Sequence, residues 1–267
     1  MKRKRLSIIR ILFYMIILTV IGAVLFLGGR TYRSVKRVES YQIEITTAAK
    51  NYHMENYENL IKAIILTESK GKGTDLMQSS ESLHGEAEII DNPADSIDQG
   101  VKYLAEMIVE AKKQGCDLWT AVQAYNFGKD YIAYVKNHGG ENTVELAEAY
   151  SKDVLSPLLG NEEGKQYRYW RIQSLLYNGG YLYHNGGNMF YSDDIVEEVR
   201  TKNDIVEVIS EHVRLQKKGG RHWGLCPFHN EKSPSFSVNG DLQVYHCFGC
   251  GAGGNVYTFV MNYENYS

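Results

Sequence analysis

The chain has 267 residues, 43% of them hydrophobic, enough for one large or two modest cores. Its formal net charge of -3 is uneven: residues 1–29 carry +5, residues 30–191 about -5 and residues 192–267 about -3. Neither folded part is therefore the strongly basic domain of a protein that coats nucleic acid, and any such contact must rest on a local patch. Of four cysteines, Cys116 stands alone while Cys226, Cys247 and Cys250 fall near one histidine. That is the arithmetic of a metal site, not of a disulfide framework.

Ile11 to Leu27 is apolar throughout and follows the basic cluster Lys2–Arg5. With its flanking glycines it approaches the roughly 20 residues that span a bilayer as a helix. No small-residue cleavage site follows, so the expectation is an uncleaved anchor. Residues 1–29 would then be a cytoplasmic basic tail and a single-pass transmembrane helix in the cell membrane, and residues 30–44 a linker. Arg30, Arg33, Lys36 and Arg37 put comparable charge beyond the run, so the positive-inside count does not orient it.

From Ser40 the pattern is helical. Over Asn56–Lys70, Ile61, Ile64 or Ile65, and Glu68 share one stripe. A carboxylate on the apolar side of a helix is desolvated, which raises its pKa and suits it to donate a proton near neutral pH, whereas one at the edge of the stripe simply reaches water; the helix alone leaves both open. Ser96 to Gln99 reads as a capping box opening a helix with Ile97, Val101, Leu104, Ile108 and Ala111 inward, ending at Gly115. Leu118–Phe127 reads as a shorter helix stopped by Gly128, and Asn142–Glu145 as the start of another running to Leu155.

Three words occur in order along this segment: Glu68-Ser-Lys-Gly71, Asp75-Leu-Met-Gln-Ser-Ser-Glu-Ser82 and Ala124-Tyr-Asn-Phe-Gly128. On them, residues 45–190 resemble the lysozyme-like superfamily of soluble lytic transglycosylases and goose-type lysozymes, most of all its CwlT-like branch. The resemblance implies a cleft that cuts the β-1,4 bond after N-acetylmuramic acid in peptidoglycan. It implies Glu68 as the catalytic acid, Gln78 lining the cleft, and Tyr125 and Asn126 holding the sugar and the acid. Ser80 and Glu81 follow as substrate-binding residues from the branch motif. The sequence identifies no second carboxylate, which leaves both a muramidase and a lytic transglycosylase open.

At Tyr183–Asp194 the chain changes character, and Met189 sits where an independent protein could begin. Asp193–Ser210 reads as two helical pieces broken near Lys202-Asn203. A short basic cluster follows, and then Cys226-Pro-Phe-His229, 17 residues and Cys247-Phe-Gly-Cys250. Two pairs of donors, each with two residues between, supply the four N/S ligands of a closed tetrahedral zinc site. Ser235–Val238 and Leu242–His246 alternate around Asn239-Gly240, a hairpin signal. The wording around the ligands resembles the N-terminal CHC2 zinc-binding domain of DnaG-type bacterial primases over residues 189–267. It implies one structural Zn²⁺ on Cys226, His229, Cys247 and Cys250. It also implies single-stranded DNA on Lys217, Lys218, Arg221 and Lys232, with stacking from Phe236, Tyr245 or Phe248.

The expected fold class is α+β: an N-terminal transmembrane helix, an α-dominated lysozyme-like domain over 45–190, and a small zinc-ribbon domain over 191–267, cut short at its C-terminus. The expected function is a membrane-anchored peptidoglycan hydrolase fused to a primase-type module that binds single-stranded DNA and cannot make primers alone. The alternative is a fragment of a DNA primase whose relevant function is zinc-dependent DNA binding in replication, joined by accident to a hydrolase. Expected partners are peptidoglycan, the membrane, single-stranded DNA and replication proteins. The compartments conflict, because the glycan substrate calls for an extracellular domain while the zinc module suits the cytoplasm.

Overall fold

The computed structural model describes residues 2–80, 90–202 and 204–263. Helix α1 runs unbroken over Lys2–Glu39. Among the described residues no helix is long and apolar enough to cross a membrane, which corrects the expected single-pass anchor and its membrane localisation. The same helix then continues through Arg30, Arg33, Lys36 and Arg37 into the folded body, where Val38 is buried and Arg37 Nε donates to the Lys70 carbonyl at 3.1 Å.

Two helices build the floor of the first core. Helix α2, Gln42–Asn51, buries Ile45, Ala48 and Ala49. Helix α3, Glu58–Glu68, buries Leu60, Ile61, Ala63, Ile64, Ile65 and Leu66. Apolar residues so nearly all round a helix mean that it is enclosed by neighbours. Helix α4, Pro93–Gln114, starts earlier than the expected capping box at Ser96. Asn92 caps it by accepting from Ala94 N, Pro93 takes the first turn, and Ser96 lies inside the helix with its hydroxyl engaged elsewhere. The left-handed Gly115 ends it, as the sequence indicates. Gly100 on α4 admits Met77, since a Cβ there would stand 2.6 Å from Met77 Cβ.

Helix α5 covers Leu118–Phe127 with Asp117 as its cap, α6 covers Asp130–Lys136, and α7 covers Val144–Tyr150 before a π turn at Ser151–Leu155. Strands β1, Gln166–Arg168, and β2, Tyr181–Tyr183, pair antiparallel around helix α8, Ile172–Asn178.

Helix α9, Tyr191–Lys202, follows directly, then α10, Ile205–His212, capped by Asp204. The last part is a five-stranded antiparallel meander in sequence order: β3 Gln216–Lys218, β4 Arg221–Gly224, β5 Phe236–Asn239, β6 Val244–Cys247 and β7 Gly253–Gly254. Helix α11, Val256–Tyr263, packs back on it. The β5–β6 connection is wider than a two-residue Asn-Gly turn: Asn239 pairs with Val244, and Asn239 Oδ1 accepts from the amides of Asp241 and Leu242.

No linker separates the two ends. Met189, Phe190 and Tyr191 are 1%, 1% and 2% exposed. Met189 and Phe190 pack into a cluster with Phe127, Tyr131 and Val135. Tyr191, Ile195 and Val199 join a second cluster that runs continuously from Ile45 and Ile61 to Ile209, Phe236, Tyr245 and Phe259. Helix α9 is therefore the last helix of one half and the first of the other.

Candidate active site and zinc centre

Glu68 closes α3 at the edge of the enclosed stripe and is half-buried. Burial pushes its carboxyl above the ordinary value of 4.5. Asp75 adds to that rise by charge, and the Tyr191 hydroxyl opposes it. The Tyr191 hydroxyl is buried and faces Glu68 without a hydrogen bond of normal geometry.

Asp75 shapes the next loop. Its Oδ1 accepts from Ser79 N at 2.9 Å and Ser96 Oγ at 2.7 Å, and its Oδ2 accepts from Ser80 N at 3.3 Å. Burial works against its charge, but the donors from Ser96, Ser79 and Ser80 prevail and hold it below the ordinary carboxylate range. The loop so formed places Gln78 at φ 49° with its side chain exposed and its Nε2 donating to the Asp75 carbonyl. Ser80 is half-buried beside it, and Glu81 lies outside the described residues.

Tyr125 and Asn126 stand near the C-terminal end of α5. The Tyr125 hydroxyl donates to the Met77 carbonyl at 2.8 Å, tying α5 to the Gln78 loop. Its ring lies parallel to that of Tyr191, centroids 6.3 Å apart, and against Tyr103 at 5.4 Å. Burial first, then the charge of Glu68, pushes both tyrosine hydroxyls up, so they stay protonated donors. Asn126 Oδ1 accepts from Asn188 N at 2.7 Å. Glu68, Tyr125 and the Gln78 loop thus converge with three residues the sequence reading did not select: Asp75, Tyr103 and Tyr191. Asp75 opens the same word that supplied Gln78, so a signal for it was present. Tyr191 lies 123 positions from Glu68 and had none.

Cys116 Sγ lies 3.7 Å from the Ile132 carbonyl and, among the described residues, joins no metal-ligand cluster. The other three cysteines and His229 bring their donor atoms within 4.8 Å of one another. Cys226 Sγ and Cys250 Sγ are 3.8 Å apart, and so are Cys247 Sγ and His229 Nδ1. A tetrahedron with ligands about 2.3 Å from its centre has edges of about 3.8 Å, so the four donors fit one structural zinc ion. Amides from Phe228 point at Cys226 Sγ, and amides from Gly249 and Cys250 at Cys247 Sγ. Burial works against the Cys247 thiolate, yet the Ser235 hydroxyl and these amides outweigh it and hold the thiol below its ordinary range. Gly249 is needed, because a Cβ there would stand 2.6 Å from His229 Nε2.

His229 presents Nδ1 to the centre and sets Nε2 3.3 Å from Glu231 Oε2. Glu231 also accepts from the amides of Cys226 at 2.7 Å and Ser235 at 3.1 Å. It therefore fixes the ring orientation of one ligand and the backbone of another. Glu231→Ala should weaken zinc binding about 10- to 100-fold in competition with a chromophoric chelator. Unchanged affinity would remove Glu231 from the centre.

The expected DNA-facing residues divide. Lys217, Lys218, Arg221 and Lys232 are exposed, with Lys218 opposite Arg221 across β3 and β4. Phe248 is 61% exposed and stacks on Trp223 at 5.8 Å, with His246 at 4.7 Å. Phe236 and Tyr245 are 0% and 2% exposed and pack on each other and on Phe259. Neither offers a face to a base, which corrects their assignment to stacking. The rings beside the exposed Phe248 are those of Trp223 and His246, which the sequence reading did not select.

Comparison with known proteins finds two families along the chain. Residues 35–199 match the family described as Lysozyme-like, and residues 191–267 match the CHC2 zinc finger. The chain is 44% identical over 179 residues to pneumococcal vaccine antigen A of Streptococcus pneumoniae, covering 66% of this chain and 87% of that protein. It is 53% identical over 79 residues to a DNA primase of Clostridium acetobutylicum, covering 30% of this chain and only 13% of the primase. A lipoprotein-like protein of the NLP/P60 family from Staphylococcus aureus superposes with a TM-score of 0.55 at 31% identity, over 69% of this chain and 63% of that one. The two matched stretches overlap at residues 191–199, within α9. The chain belongs to the lysozyme-like family and carries a CHC2 zinc finger joined to it through that shared helix.

Proposed function

We propose that the chain cleaves the β-1,4 bond after N-acetylmuramic acid in peptidoglycan, with Glu68 as general acid. The observation that carries this reading is the half-buried Glu68 carboxyl, pushed up by burial and facing the tyrosine pair Tyr125 and Tyr191. A raised carboxyl remains protonated in more of the molecules at neutral pH and can protonate the departing glycosidic oxygen. As the proton leaves, the Tyr191 hydroxyl is placed to donate to the new carboxylate. Gln78, Ser80, Tyr125 and Asn126 would hold the sugars, as the family motif implies for these positions.

Asp75 is the carboxylate coupled to Glu68 by charge, but its oxygens are taken up by Ser79, Ser80 and Ser96. It is a loop anchor, poorly placed to attack an anomeric carbon or to activate water. That favours assistance from the substrate's own acetamido group or C6 hydroxyl. The alkaline limb of the pH profile for glycan cleavage should therefore lie above 4.5. Because Tyr191 lowers the Glu68 pKa, Tyr191→Phe should move that limb further toward alkaline pH. A limb at or below the ordinary value, unmoved by the substitution, would contradict the assignment.

For the zinc finger we infer single-stranded DNA binding through the exposed residues Lys217, Lys218, Arg221, Lys232 and Phe248, joined by Trp223. Its support is that these cations are exposed and that Trp223, on the strand paired with Lys217 and Lys218, stacks on Phe248. Zinc would hold the knuckles in shape there. Phe248→Ala should cost about 1–3 kcal/mol of oligonucleotide binding in a fluorescence-anisotropy titration, while Phe236→Ala should act only through loss of fold.

A further inference from the structure

The residues that hold Asn126 in place lead back to the shared helix. Asn188 donates its backbone amide to Asn126 Oδ1 at 2.7 Å, so the donor end of the Asn126 carboxamide points away from it. Asn188 is fixed in turn at each polar atom. Its carbonyl accepts from Gln123 Nε2 at 2.8 Å and its Oδ1 from Phe190 N at 3.0 Å. Its Nδ2 donates to Asp194 Oδ2 at 3.1 Å and to the Tyr169 hydroxyl at 3.2 Å. The Tyr169 hydroxyl itself donates to Asp194 Oδ2, and Arg171 Nε lies 4.0 Å from Asp194 Oδ1. Asp194 is 4% exposed. A buried carboxylate is costly unless its charge is used, and here two neutral donors and one guanidinium converge on it.

We propose that Asp194, in the first turn of α9, is a positioning residue for the glycan site: it clamps the Asn188 side chain and so orients Asn126 toward the sugar. This rests on the reading of Asn126 as a sugar-binding residue. Asp194 touches no substrate in this scheme and acts through Asn188. It falls in the stretch matched by both families, so the helix that opens the zinc finger also supplies a support for the glycan cleft. A helix-dipole role for an acidic residue in a first turn would be local to α9 and would leave sugar affinity alone.

The test measures kcat and KM of the full chain on soluble glycan-strand fragments of peptidoglycan. Asp194→Asn turns one acceptor into a donor facing Asn188 Nδ2. Asn188→Asp keeps the backbone amide to Asn126 and sets two carboxyl groups face to face. Both should raise KM about 10- to 100-fold, a displacement effect, while kcat and the alkaline pH limb set by Glu68 stay in place. Tyr169→Phe, which leaves the Asp194–Asn188 bond intact, should have a smaller effect on KM. An unchanged KM in either folded variant, with the unsubstituted chain active, would overturn the positioning role alone. Inactivity of the unsubstituted chain on these fragments would overturn it together with the glycan reading. Should Asp194→Asn fail to fold, Asn188→Asp decides.

Discussion

A chain ending at Phe190 is expected to lose the lysozyme-like fold, whereas one ending after residue 202 is expected to keep it. The difference is α9. Tyr191, Ile195 and Val199 are 2%, 0% and 4% exposed, and they pack on the core of α2 and α3. At about 1.5–3 kcal/mol for each fully buried side chain, removal of the three costs about 4.5–9 kcal/mol. A domain of this size holds about 5–15 kcal/mol in all.

Polar losses add to that. Gln123 is fully buried and would lose Ser192 N, which donates to its Oε1 at 3.1 Å. Asn142 Nδ2 would lose the Ser192 hydroxyl at 2.9 Å. Each stranded group costs about 1–3 kcal/mol. Circular dichroism and thermal melts of the two truncations check this. A cooperative melt of the shorter chain within a few degrees of the longer one would show that α9 is dispensable to the lysozyme-like half.

Glu68→Gln should reduce clearing of purified cell walls by at least about 100-fold, within the 10²–10⁴ range for removal of a general acid. It should also leave the protein more stable at neutral pH. The folded state holds the Glu68 proton above 4.5, where the unfolded chain releases it. Stability contributed by that proton is present below 4.5 and falls as pH rises through the folded pKa. Glutamine carries no such dependence, so the melting temperatures of variant and parent should converge in acid and separate above it. Loss of activity with an equal loss of stability at all pH values would mean that the substitution damages the fold.

Local signals in the sequence carried well where one element decides the outcome. Leu118–Phe127 is a helix with the expected ends, because Asp117 and Gly128 supply cap and stop within the segment itself. The four zinc donors meet because two short knuckles fix each pair and one sheet brings the pairs together. Alternation along β5 and β6 correctly marks two faces, but it does not say which one meets the core. The family resemblance assigns Phe236 and Tyr245 to DNA, whereas Phe228 and Phe259 cover them.

Ser96 looked like a cap because its spacing to Gln99 is local. Its hydroxyl instead serves Asp75, 21 positions earlier. The apolar run at Ile11–Leu27 suggested a membrane, yet α1 continues past it as a single helix whose end docks on the core. A boundary drawn between residues 190 and 191 falls between two side chains that are both buried. Sequence composition and core cluster change there, but burial is unbroken. Tyr191 and Glu231 show the same limit: each matters through a partner that only the folded chain brings near.

The most direct measurement is mass spectrometry of purified peptidoglycan digested with the intact chain and with Glu68→Gln. Glycan cleavage at N-acetylmuramic acid releases disaccharide-peptides ending in either a reducing sugar or a 1,6-anhydro sugar. The expected result is one of these products from the intact chain and neither from the variant. Peptidoglycan left uncut by a folded intact chain, or cut equally by Glu68→Gln, would contradict the assignment of Glu68 as the acid of a glycan-cleaving site.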